Sequence, residues 1–137
     1  MLKVLGSKYP KAVYGGKFSK WLISKEPKPY NSFGNGSAMR VSAIGWACSS
    51  LNQVLNKAKE SAEITHNHPE GIKGAQATAS AIFLAREGAN KNEITRYIVE
   101  TFDFGLPTTK LTEVQGIRNG GVKRRKYSQP KTLSLIQ

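Results

Sequence analysis

Aspartate is almost missing from this chain: Asp103 is the single one among 137 residues. The glutamates are Glu26, Glu60, Glu63, Glu70, Glu87, Glu93, Glu100 and Glu113, and no two acids stand one or two positions apart. Hard divalent cations need several oxygen ligands, and a two-metal site needs them clustered. The sequence therefore offers no catalytic acid pair and no metal ligand set of its own. Cysteine is nearly absent too. Cys48 alone cannot form an internal disulfide, and a reducing, cytoplasmic setting is expected. It lies in an apolar run and is expected to be a buried structural thiol. No apolar run reaches the roughly 20 residues of a membrane helix, and no apolar h-region follows Lys3, so neither a membrane partner nor a signal peptide is expected. The two histidines, His66 and His68, lack a third nitrogen or thiolate ligand nearby, which argues against zinc.

Base is abundant. Lysine and arginine number 21 against 9 acids, for a net charge of +12 and a pI near 10.0. Such a balance is the electrostatic footprint of a polyanion partner. Its distribution argues otherwise. The N-terminal lysines Lys3, Lys8, Lys11, Lys17, Lys20, Lys25 and Lys28 are scattered and not striped with aromatics. A solvated basic face explains them, and nucleic acid is not the expected partner.

Apolar spacing predicts helices throughout. Residues 2–14 form a short helix running up to Tyr9-Pro10, ended by Gly15-Gly16. Phe18, Trp21 and Leu22 place another over about 17–24, which Pro27 and Pro29 stop. Ala38 to Ala47 reads as one buried helix. Ser50 and Gln53 form a capping box for a helix over 51–64. Pro69 opens the next, with His68 as N-cap, an inward face of Ile72, Ala75, Ala79, Ile82 and Phe83, and Gly88 closing it. Asn90 with Glu93 caps the last, which carries Ile94, Tyr97, Ile98 and Phe102 inward. Tyr14, Trp21, Tyr30 and Trp46 are expected mostly in the core. After Phe104 the periodicity is lost. Residues 1–104 are thus expected as an all-α partial helical bundle, and 105–137 as a poorly ordered basic tail.

Two blocks remain. Ser32-Phe33-Gly34-Asn35-Gly36 has the glycines that let a backbone turn and present N–H groups to a ligand. Thr65-His66-Asn67-His68-Pro69-Glu70-Gly71 places two imidazoles before a helix. By loop chemistry alone, a tight turn capped by Asn35 is the better explanation of the first block. Arg40 is placed either to pair with Glu63 or Glu70 or to line a pocket.

Taken in order, Tyr14-Gly15-Gly16, Glu26-Pro27-Lys28-Pro29-Tyr30, the Gly34-Asn35-Gly36 turn with Ala38-Met39-Arg40-Val41, and the His66 block running into Gly74-Ala75-Gln76-Ala77 resemble the central region of the ADP-ribosylglycohydrolase family. The resemblance covers about Leu2 to Phe104. It implies hydrolysis of the glycosidic bond of ADP-ribosylated substrates in the intact family, using two magnesium or manganese ions held by Thr-Asp-Asp and Asp-x-Asp motifs. It implies ADP-ribose or ADP-ribosylated protein as partner, bound by Ser32, Phe33, Gly34, Asn35, Gly36 and His66. Both aspartate motifs are missing here, so the expectation is a truncated, inactive form from a decayed gene, without catalytic or metal residues. A non-catalytic ADP-ribose-binding module and a basic nucleic-acid-associated protein are the alternatives.

Overall fold

The computed structural model describes residues 2–104. Among them are seven helices and no strand: α1 (Leu2–Lys8), α2 (Gly16–Ile23), α3 (Gly36–Met39), α4 (Ser42–Ala47), α5 (Leu51–Glu63), α6 (Pro69–Arg86) and α7 (Lys91–Phe102). The all-α expectation holds. The expected basic tail lies outside the described residues. The first compact unit of the chain ends at Asp103, and none of the described helices is long and apolar enough to cross a membrane.

The centre is α6, against which α3, α4, α5 and α7 all pack. Its inward positions are small: Ala75 and Ala79 are fully buried beside Val54, Ala58 and Ala62 of α5, with Val41 and Phe83 completing the core. Small residues let helix axes come close, and the resulting contacts are dense. Gly45 of α4 shows how close. A Cβ there would stand 2.8 Å from the Ala79 carbonyl oxygen and 2.7 Å from Ile82 Cγ2.

Local chemistry sets the helix starts. His68 is the N-cap of α6, its Nδ1 accepting from the Glu70 amide at 3.1 Å. The α7 capping box is complete: Asn90 Oδ1 accepts from the amides of Asn92 and Glu93, and Glu93 Oε2 accepts from the Asn90 amide. A cap of this kind is worth about 1 kcal/mol. At α5 the Ser50 hydroxyl accepts from the Gln53 amide at 3.3 Å, but Gln53 turns its side-chain oxygen to the amide and hydroxyl of Ser49. Half of the expected box is therefore formed. Gly88 follows α6 at φ +91°, the left-handed geometry that favours glycine there.

Three expectations are corrected. The first helix stops at Lys8, because a residue before proline, here Tyr9, avoids the α conformation. The expected single helix over 38–47 is two short ones, α3 and α4, separated at Arg40 and Val41. Nor is it buried throughout, since Met39 is 74% and Trp46 66% exposed. The break has a long-range cause: Arg40 reaches across to carbonyl groups at the C-terminal end of α5. Cys48 is only half-buried, packed at the core's edge.

Candidate functional site

Pro27 and Pro29 keep the chain extended as it leaves α2, and the segment is then pinned to the turn between α5 and α6. The Tyr30 amide donates to the Thr65 carbonyl at 3.3 Å. Asn31, in the left-handed region at φ +50°, donates its amide to Asn67 Oδ1 at 2.7 Å. Asparagine tolerates that conformation better than other side chains. The loop then turns at Ser32, whose hydroxyl accepts from the Gly34 amide at 3.3 Å. Asn35 occupies the N-cap position of α3, yet its side chain makes no capping hydrogen bond.

The two sequence blocks meet here. The buried Ser37 hydroxyl donates to the Gly71 carbonyl at 2.7 Å, binding α3 to the first turn of α6. A Cβ at Gly71 would stand 2.6 Å from the Ser32 carbonyl oxygen and 3.0 Å from His66 Cβ. Only glycine admits this approach. A Cβ at Gly36 would lie 3.2 Å from both Cε1 and Nε2 of His66, so the loop backbone passes directly over the imidazole edge.

His66 is 4% exposed. Its Nδ1 lies 2.7 Å from Thr65 Oγ1. Arg40 Nη2 donates to Thr65 Oγ1 at 2.9 Å and to the Ser61 carbonyl at 2.6 Å. Arg40 thus pairs with neither Glu63 nor Glu70 in this arrangement; it donates to the Ser61 carbonyl, one of the last carbonyls of α5, next to that of Ala62, which already accepts from the Thr65 and His66 amides. Burial, and then the nearby guanidinium, lower the pKa of His66 below the ordinary histidine value. Burial raises the phenol of Tyr30, which Thr65 and Arg40 partly offset. At neutral pH the site presents a neutral imidazole, a neutral phenol and a cationic guanidinium.

These groups line a cavity of about 590 Å³. Ser32, Gly34, Asn35, Gly36, Met39, Arg40 and His66 line it together with Leu2, Val13, Tyr14, Gly15, Gly16, Lys17 and Phe18, and Tyr30 lines it too. Its charged lining residues are Lys17 and Arg40, both cations. Five of the six residues singled out in the sequence are therefore brought together. Phe33 is not among the lining residues. It is 71% exposed, and its ring rests against His68 at 5.2 Å between centroids. Sequence reasoning passed over Lys17, Thr65, Ser37 and Gly71 as site residues. Tyr14-Gly15-Gly16 and the residues around His66 lay within the motifs that carried the resemblance, and that was the available signal.

The metal pair implied by the resemblance does not fit these residues. Among the described residues no carboxylate lines the cavity. Among the described residues no three His, Cys, Asp or Glu side chains come together as a metal site. The histidines are separately engaged, His66 with Thr65 and His68 with the Glu70 amide.

Residues 5–129 match the ADP-ribosylglycohydrolase family. The match runs past Phe104, further than the motifs themselves carried the resemblance. Similar curated proteins include ADP-ribosylhydrolase ARH3 of Homo sapiens and of Mus musculus, each 44% identical over 62 residues, which is 45% of this chain and 17% of theirs. ADP-ribosylhydrolase ARH3 of Gallus gallus is 44% identical over 88 residues, 63% of this chain and 24% of its own length. The chain thus matches between a sixth and a quarter of the length of these relatives. No solved structure matches it.

Proposed function

The chain belongs to the ADP-ribosylglycohydrolase family, and from that premise we propose that its cavity contacts the ADP-ribosyl group of ADP-ribosylated protein, or free ADP-ribose, without hydrolysing it. One observation carries the reading. The Ser32–Gly36 loop and His66, far apart in sequence, line a single cavity whose charged lining residues are cations.

The chemistry suits a pyrophosphate with its two riboses. Backbone N–H groups of a glycine turn, with Lys17 and Arg40 nearby, attract anionic oxygens. Asn35 can both donate to and accept from ribose hydroxyls. The rings of Tyr14 and Phe18 give the cavity an apolar, stackable face, while Phe33, outside the lining, is left out of this role. Hydrolysis is a separate matter. In the intact family two divalent ions serve it, and this chain has no carboxylate set to hold them, so no reaction step is assigned to its residues. ADP-ribose should bind no tighter than about millimolar, on the order of 4 kcal/mol.

Titration calorimetry tests this on the 137-residue chain. The wild type should give a saturable heat that Asn35→Ala abolishes; equal heats would remove the loop from the site. Incubation with ADP-ribosylated protein plus magnesium or manganese should release no ADP-ribose. Metal-dependent release would overturn the non-catalytic half of the reading.

A further inference from the structure

The hydrogen bonds behind His66 decide which of its ring nitrogens carries the proton. Thr65 is fully buried, and Arg40 Nη2 at 2.9 Å and His66 Nδ1 at 2.7 Å lie within hydrogen-bond distance of its Oγ1. A hydroxyl has one hydrogen and two lone pairs. Arginine has only donors, so one lone pair is committed to Arg40. Two patterns remain. In the first, Thr65 donates to His66 Nδ1. In the second, His66 donates from Nδ1 and neither partner accepts the buried Thr65 hydrogen, which costs free energy.

Electrostatics separates them. The guanidinium sits on the Nδ1 side of the ring, behind Thr65. A positive charge there favours a lone pair facing it over an N–H dipole, and a buried, weakly screened setting strengthens that preference. Among the described residues Arg40 and Tyr30 are the titratable groups brought against the ring, Arg40 from the end of α3 and Tyr30 from the extended segment, and no carboxylate among them lines the cavity.

We propose that Arg40 and Thr65 are positioning residues that hold neutral His66 with its proton on Nε2, making the imidazole edge beneath Gly36 a fixed hydrogen-bond donor to an acceptor oxygen in the cavity. The donation to a ligand rests on the proposed function; the tautomer does not. Two features of the sequence fit this arrangement. At Gly36 an added Cβ would sit 3.2 Å from the donating nitrogen, so any side chain there would crowd the imidazole edge. Arg40 Nη2 bridges the Ser61 carbonyl and the Thr65 hydroxyl, which keeps the positive charge behind Thr65.

Long-range proton–nitrogen NMR of the histidine side chains reads the tautomer directly. A His68→Asn background removes the second imidazole while keeping a capping oxygen. Above pH 7 the His66 Nδ1 should show the shift of an unprotonated ring nitrogen and Nε2 that of a protonated one. Thr65→Val should relax this bias and Thr65→Ser restore it. A protonated Nδ1 in the wild type, or a tautomer indifferent to Thr65→Val, overturns the proposal. If Thr65→Val does not fold, the wild-type and Thr65→Ser spectra still decide. ADP-ribose titration supplies the second arm: Thr65→Val should bind roughly five- to tenfold more weakly, the scale of one hydrogen bond, and Thr65→Ser near wild type. Unchanged affinity in Thr65→Val with the tautomer lost would overturn the donor role. A fixed Nε2–H in a protein that binds no ADP-ribose would sink the proposed function and leave the positioning intact.

Discussion

The α5–α6 pair and the α1–α2 pair bury apolar side chains in opposite ways. Between α5 and α6 the contact is made of small, fully covered residues, Ala58 and Ala62 against Ala75 and Ala79. Between α1 and α2 large residues of α2 close over Gly6, the buried residue of α1, where an added Cβ would collide with Leu22. Trp21 and Leu22 are buried, Trp21 stacks on Phe18, and Phe18 meets Tyr14 edge to face, while Val4, Leu5, Val13 and Ile23 stay exposed. The cavity lining draws on both regions: Gly36, Arg40 and His66 come from α3 and from the segments at the ends of α3 and α5, and Tyr14, Gly15, Gly16 and Phe18 from α2 and the residues leading into it. Position is fixed in the first region by backbone and buried hydrogen bonds. In the second it rests on ring contacts, on Lys3 donating to the Ser24 carbonyl, and on Tyr14 donating to the Gly6 carbonyl at 3.4 Å.

Substitutions can break this contrast. Ala79→Leu should have the largest effect. It forces a large side chain into a fully buried position facing Gly45, at a cost of roughly 1–3 kcal/mol or more. Denaturant unfolding would measure it, and a loss below half a kcal/mol would mean that the pair is less tightly packed than described. Gly71→Ala comes next. Its Cβ meets the Ser32 backbone oxygen at 2.6 Å, which cannot rotate away. About 1–2 kcal/mol of stability should be lost, and ADP-ribose binding should weaken further as the loop lifts from His66. Unaltered binding would show that the loop moves without consequence. Smallest is Gly16→Ala in the other region, at the first position of α2, where an added Cβ meets nothing within 4 Å. Stability should rise by about 0.5 kcal/mol through the unfolded chain. A marked loss of Tm there would make the second region as exacting as the first.

What could be read in advance followed the same divide between local and distant causes. The starts of α6 and α7 depend on residues within one turn, so His68, Asn90 and Glu93 announced them. The break at Arg40 and Val41 depends on carbonyls at Ser61 and Ala62, which no local pattern reveals. Trp46 looked like core for the same reason. Its neighbours are apolar, but the face that α4 turns to α6 is the one with Gly45 and Ile44. Within the loop, the glycines and Asn35 were found through motif resemblance, and Phe33 was grouped with them although its ring turns toward His68. Thr65 was passed over because its importance lies in Arg40, distant in sequence, and His66 meeting on one hydroxyl.

The paired anchors of Tyr30 and Asn31 on Thr65 and Asn67 also order events in time. The Asn31–Asn67 bond spans 36 positions, and α3, α4 and α5 lie within the loop that it closes. Closing so long a segment costs chain entropy that local helix formation does not. The helices between these anchors can form first, and the cavity comes into being when this last seam is drawn shut. The amides of Tyr30 and Asn31 then exchange with solvent whenever that seam opens, whether or not the helical core has come apart.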